Sequence, residues 1–194
     1  KMLKVGVVGL GDISQIHIHA IQQNPKAQLI AVCDEDESLK NKAPHSNFYN
    51  NLNSMLDSEK LDCVHVCLPH HLHVSATTTC VEKGIHVLQE KPLAVNAKEG
   101  LELVALQRQY PEIKIGICFQ NRYNDTFQTL KHMVRSGQYG EVIGIKGLVT
   151  WFRPESYYTE KPWRGQMAYA GGGVLINQSI HTLDLMQVLC GNIS

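Results

Sequence analysis

Short apolar runs alternate with helix-length amphipathic stretches over the first two-thirds of the chain. Leu3 to Gly9 is almost continuously apolar and closes on glycine, the pattern of a strand covered on both faces of a parallel sheet. A helix is predicted over Ile13 to Gln23 and stops at Asn24-Pro25, because proline disfavours helical geometry in the residue before it. Gln28 to Cys33 repeats the apolar run and completes a βαβ unit. The alternation continues with a strand at Leu61 to Leu68, a helix at His71 to Lys83 closed by Gly84, and a strand at Ile85 to Gln89. A helix at Asn96 to Tyr110 closed by Pro111 and a strand at Lys114 to Phe119 follow, and a weaker strand is expected at Asn47 to Tyr49. Strands separated by helices imply an α/β fold with a doubly wound parallel sheet and right-handed crossovers.

Beyond Asn121 the pattern changes. Asp125 to Ser136 reads as a helix with Gly137 as its cap, and Glu141 to Trp151 has the partial alternation of a half-buried strand. An aromatic and proline-rich loop from Phe152 to Tyr169 leads to Gly171-Gly172-Gly173 and one apolar helix from Val174 to Cys190. The expected division is a Rossmann-type domain over 1–120 and the start of a second, open-sheet α/β domain over 121–194.

Composition narrows the function. The 194 residues carry 18 basic and 18 acidic side chains, so the net charge is zero, which argues against a nucleic-acid surface and favours a small-molecule partner. No apolar run is long enough to span a bilayer and no signal-peptide pattern is present, so a cytoplasmic location with no membrane partner is expected. The six cysteines sit mostly in apolar segments without a Cys-x-x-Cys pair and read as small hydrophobes.

Three clusters carry candidate chemistry. In Gly9-x-Gly11-x-x-Ser14, the first glycine allows a tight turn and the second lets a pyrophosphate approach the helix N-terminus. Asp34 closes the second strand 23 residues beyond Gly11, where a carboxylate accepts ribose hydroxyls and repels a 2′-phosphate; NAD is therefore expected in preference to NADP. The plain alternative is a glycine turn and a loop carboxylate. Glu90-Lys91-Pro92 follows a strand at the carboxyl edge, where Lys91 can hold a hydroxyl or move a proton; the alternative is a solvated lysine. On one helix, Asn177 and His181 at i and i+4 would share a face with Asp184 one turn on; the alternative is a satisfied core histidine. Metal binding by His17-x-His19 or His70-His71-x-His73 is not expected, since His17 and His19 fall on different faces and neither group has an acidic or cysteine partner in its segment. Arg122, Tyr123, Trp151, Arg153, Tyr157, Tyr158, Trp163 and Arg164 could line a carbohydrate site or simply pack.

Together, Gly9-x-Gly11 with Asp34, Pro69-His70-His71-Leu72-His73, Glu90-Lys91-Pro92, Phe119 to Asn124, Trp163-Arg164-Gly165 and Gly171 through His181 and Asp184 resemble the Gfo/Idh/MocA family of NAD(P)-dependent oxidoreductases. The resemblance implies a sugar or polyol dehydrogenase, with Lys91 and His181 as catalytic residues. Gly9, Gly11, Asp12, Ile13, Asp34, Pro69, His70, His73, Glu90, Lys91 and Gln120 would then bind the cofactor. Lys91, Arg122, Tyr123, Trp163, Arg164, Asn177, His181 and Asp184 would bind the substrate. Asn177 stands where several members carry aspartate and cannot act as a base, which leaves the proton route to Lys91 and His181. His70 stands where asparagine is more usual. The resemblance also implies a much longer chain that is a homo-oligomer, so the 194 residues read as a piece whose exposed strand from Glu141 to Trp151 would pair with another chain or reduce solubility. A non-catalytic NAD-binding regulator of the same fold is the alternative.

Overall fold

A computed structural model describes residues 1–191, which divide into two units, the first Lys1–Cys118 and the second beginning at Phe119. In the first, β1 (Leu3–Val8) leads into α1 (Ser14–Gln23) and β2 (Ala27–Cys33). Then come β3 (Asn47–Tyr49), α2 (Leu52–Ser58), β4 (Cys63–Val66) and α3 (His73–Glu82). The unit closes with β5 (His86–Glu90), α4 (Ala97–Gln109) and β6 (Ile115–Cys118). The six strands are parallel in the order β3-β2-β1-β4-β5-β6. The order reverses between β1 and β4, and the carboxyl ends of those strands frame the crevice in which open α/β sheets bind ligands.

The continuous apolar runs form the central strands because both faces are covered: Val7, Val32, Val64 and Val66 are wholly buried. Helix α2 was not expected. It is only seven residues long, it buries Met55 and Leu56, and the Asn51 side chain caps it by accepting the Ser54 N–H; so short a helix carries little periodic signal.

The second unit holds a 3-10 turn at Gln120–Tyr123, α5 (Asp125–Arg135), α6 (Ser156–Thr159), a second 3-10 turn at Pro162–Gly165 and α7 (Met167–Ala170), then α8 (Val174–Asn177) and α9 (Ile180–Cys190). Two expectations are corrected here. The span from Glu141 to Trp151 is not a strand, and its apolar side chains, Ile143 and Leu148 among them, are largely exposed. Alternation supplies a face, but a strand also needs a neighbour for its backbone groups, and none lies alongside among the described residues. The single helix expected over Val174 to Cys190 is interrupted: Gln178 and Ser179 both donate their N–H to the Val174 carbonyl, at 2.9 Å each. One carbonyl serving two successive donors inserts an extra residue into the turn and ends α8 before α9 begins.

Candidate functional site

The glycine turn after β1 is held by β2. Asp34, at the end of β2, accepts the Leu10 N–H at 2.6 Å with one carboxylate oxygen and the Asp36 N–H at 2.9 Å with the other. Gly9 has φ +87°, and a Cβ there would lie 2.7 Å from the Cys67 carbonyl oxygen on the β4 side, so no other residue fits. Gly11 differs, because a Cβ built on it meets nothing within 4 Å. The protein's own packing does not require glycine at that position, whereas close approach of a diphosphate to the backbone does, and the donor-rich start of α1 follows directly. A dinucleotide therefore fits this turn. Ser14, in the place of a third glycine, is fully buried and donates its hydroxyl to the Gly11 carbonyl at 2.6 Å, tying helix to turn.

Lys91 follows β5 on a segment pinned from several sides. Gln89, fully buried, donates its amide to the carbonyls of Pro92 (3.1 Å) and Leu93 (2.9 Å) and accepts the Thr77 hydroxyl at 2.7 Å. His73 has one ring nitrogen 2.9 Å from the Pro92 carbonyl and the other 2.8 Å from that of Leu68. Burial outweighs those hydrogen bonds and pulls the His73 pKa below its ordinary value; the neutral ring then donates to one carbonyl at a time. His73, expected to touch a cofactor, is instead wholly buried with both ring nitrogens on backbone carbonyls, joining the Pro69 loop to the Lys91 loop. His70 is buried beside it, the two rings 5.7 Å apart. Pro69 precedes the 3-10 turn His70–Leu72 at the carboxyl side of β4. Glu90 is buried as well and accepts the Lys91 N–H at 3.2 Å.

In the second unit, His181 is buried in α9 with its ring edge-on to Phe119, centroids 6.0 Å apart. Arg122 and Asp184, both expected on the substrate side, bind each other: Arg122 Nε donates to Asp184 Oδ2 at 2.7 Å, and Nη2 donates to Oδ1. This fork ties the turn at Gln120–Tyr123 to α9. Tyr123 is exposed. Asn177, beyond the break and so no longer in helical i, i+4 register with His181, donates its amide to the Tyr157 hydroxyl at 3.1 Å. The Arg164 guanidinium lies 4.1 Å over the Tyr157 ring and that of Arg153 4.9 Å from the same ring, making a basic and aromatic cluster with Trp163.

Sequence reasoning missed two groups. Lys42 reaches back to donate to the Leu10 carbonyl at 2.8 Å, on the glycine turn. His17, judged to have no partner in its own segment, finds partners on other strands: Nε2 lies 3.0 Å from Glu90 Oε1 and Nδ1 2.9 Å from Nδ1 of His65. One donor atom each of His17, Glu90 and Cys118 lie within 4.8 Å of one another, and hydrogen bonding among them accounts for the grouping. The separation of His17, buried, from His19, exposed, could be read from the helical period; partners brought by β4, β5 and β6 could not. The cysteines are free thiols, and burial pushes those of Cys33 and Cys63 up to about 11 and that of Cys80 to about 12. No helix among the described residues is long and apolar enough to cross a membrane.

Residues 3–115 match the oxidoreductase family Gfo/Idh/MocA, NAD-binding Rossmann fold, and residues 127–194 match the Gfo/Idh/MocA C-terminal domain. Inositol 2-dehydrogenase of Corynebacterium glutamicum is 24% identical over 197 residues, covering 99% of this chain and 55% of its own length. Among solved structures, the WlbA dehydrogenase of Chromobacterium violaceum, in complex with NADH and UDP-GlcNAcA, superposes with a TM-score of 0.92 at 32% identity over 98% of this chain and 56% of the other. WlbA of Bordetella pertussis, in complex with the same pair, gives 0.93 at 30% identity over 98% and 59%. The chain thus spans little more than half the length of the relatives it matches.

Proposed function

The chain belongs to the Gfo/Idh/MocA oxidoreductase family, and from that premise we propose that the protein carrying it is an NAD-dependent dehydrogenase of a sugar or polyol hydroxyl. The observation that carries the reading is the glycine turn: Asp34 holds the Leu10 N–H while Gly11 leaves open backbone beside the start of α1. Gly9, Gly11, Asp12, Ile13 and Asp34 hold the adenosine and pyrophosphate side of the cofactor, with Lys42 the nearby cation. Pro69, His70, Glu90 and Gln120 belong to the nicotinamide side, and His73 positions that loop from beneath. When bound, the cofactor accepts or returns a hydride at nicotinamide.

Oxidation of a carbinol releases one proton from its hydroxyl, and that proton needs a base. Lys91 holds the reacting oxygen by hydrogen bonding, and the His181 imidazole receives the proton. Asn177 carries no titratable proton; anchored to Tyr157, it orients the substrate. The guanidinium groups of Arg153 and Arg164 on Tyr157 suit a carboxylate or phosphate on the sugar, which supports a nucleotide-linked or otherwise acidic sugar over a neutral polyol. The similarity to WlbA points the same way.

The test is a hydride-transfer assay of the full-length protein with NAD and NADP against myo-inositol, scyllo-inositol, simple glucosides and UDP-N-acetylglucosaminuronic acid. Lys91→Ala lowers turnover roughly 10²–10⁴-fold while NADH affinity stays within about tenfold. Tight NADH binding without turnover on any of these substrates overturns the dehydrogenase reading in favour of a regulator.

A further inference from the structure

His17 lies in α1, far in sequence from Lys91, yet it is one of the most enclosed polar groups of the first unit, 6% exposed. Its Nε2 lies 3.0 Å from Glu90 Oε1, and Glu90 Oε2 accepts the backbone N–H of Lys91 at 3.2 Å. The carboxylate therefore bridges the imidazole and the first atom of the lysine residue. Three further groups face this pair: His65 from β4, its Nδ1 2.9 Å from that of His17; Cys118 from β6; and Lys91 itself. Burial, and then the coulombic effect of His17, hold the His65 pKa down at about 4, so at working pH His65 is a neutral partner. Burial alone would raise Glu90; the hydrogen bond and charge of His17, the Cys118 thiol and Lys91 together hold its carboxyl below the usual range, so it is ionised. A carboxylate accepts and never donates, so His17 presents N–H at Nε2.

We propose that His17 is a positioning residue for Lys91: by donating to Glu90 Oε1 it turns the other carboxylate oxygen onto the Lys91 N–H, and so sets where the Lys91 side chain leaves the sheet edge. The proposal rests on the role given to Lys91 above. His17 touches neither substrate nor cofactor in this scheme and acts only through Glu90. Without it, an ionised buried carboxylate loses a principal donor and turns toward the positive charge of Lys91.

The experiment follows Lys91 directly. Full-length protein is reductively methylated with ¹³C-formaldehyde, the Lys91 signal is identified by its loss in Lys91→Ala, and its titration is followed by NMR in wild type, His17→Leu, His17→Asn and His17→Gln. Asparagine is polar but too short to reach Glu90, so it serves if the leucine variant does not fold. Glutamine restores an N–H donor at nearly the same reach. The Lys91 midpoint is expected to move by roughly half a unit or more in His17→Leu and His17→Asn and to return in His17→Gln, with NADH affinity within about threefold of wild type throughout. On a substrate that is turned over, kcat falls about tenfold or more in His17→Asn with little change in KM for NAD. An unchanged Lys91 midpoint overturns the proposal. So does stoichiometric zinc in the purified protein that disappears in Cys118→Ala, which would assign these donors to a metal centre. Intact turnover in Lys91→Ala removes the lysine from catalysis but leaves the NMR result standing, so the two failures are distinguishable.

Discussion

Gly9 and Gly11 are both glycine, for opposite reasons. At Gly9 the left-handed backbone and the Cys67 carbonyl 2.7 Å from any added Cβ make the requirement internal. Gly9→Ala therefore costs stability, about 2 kcal/mol or more in urea denaturation. At Gly11 the added methyl meets open space, so Gly11→Ala leaves stability within about 0.5 kcal/mol and instead weakens NADH binding about tenfold or more, measured by fluorescence titration. Equal loss of stability in both variants would contradict the assignment of Gly11 to a ligand. The glycine spacing and Asp34 were legible because the constraint is local to a strand–turn–helix. The partners of His17 and the two backbone carbonyls on His73 were not, since they arise where separate strands end side by side.

At the scale of elements, the central strands were readable because a parallel strand buried on both faces needs an unbroken apolar run. The break between α8 and α9 was not, as no glycine or proline in Val174 to Cys190 punctuates the helix; the shared Val174 carbonyl marks it only in the folded chain. Glu141 to Trp151 shows the converse failure, an alternating pattern without a neighbouring strand among the described residues. It does approach α9, where a Cβ on Gly147 would sit 2.7 Å from the Thr182 methyl. The Arg122–Asp184 fork ties a turn to α9, with Asp184 buried and Arg122 about half exposed. Arg122→Met leaves that carboxylate without its guanidinium and costs about 1–3 kcal/mol, moderated by solvent at the arginine. Arg122→Met together with Asp184→Leu recovers part of the loss, and a double-mutant cycle on thermal unfolding measures it.

For the molecule as a whole, acid is the telling perturbant. His65 titrates near 4 when folded and near 6.5 when unfolded, so the unfolded chain binds the extra proton between those values. Stability is full above pH 6.5 and falls as pH drops toward 4, by about 3 kcal/mol at most from this residue. Glu90, whose carboxyl is held below its ordinary value, extends the loss to lower pH as the folded carboxylate takes up its proton. His65→Leu should flatten the upper part of this profile in chemical denaturation at stepped pH; an unchanged slope between pH 6.5 and 4 would remove His65 as the cause. The chain should also be cut first between α5 and α6, where regular structure is absent and Ile143, Leu148 and Phe152 are exposed, leaving in limited proteolysis a resistant fragment that holds the first unit together with α5.

The order of strands and helices, the tight turn after β1 and the acid that closes β2 follow from residues near one another along the chain, because backbone conformation and amphipathic periodicity are local properties. Which side chains meet beneath Lys91, which carboxylate Arg122 takes and whether an alternating segment finds a neighbour depend on surfaces brought together only by folding. Those pairings are favoured by burial, which makes an enclosed donor, acceptor or charge costly unless a partner reaches it from elsewhere in the chain.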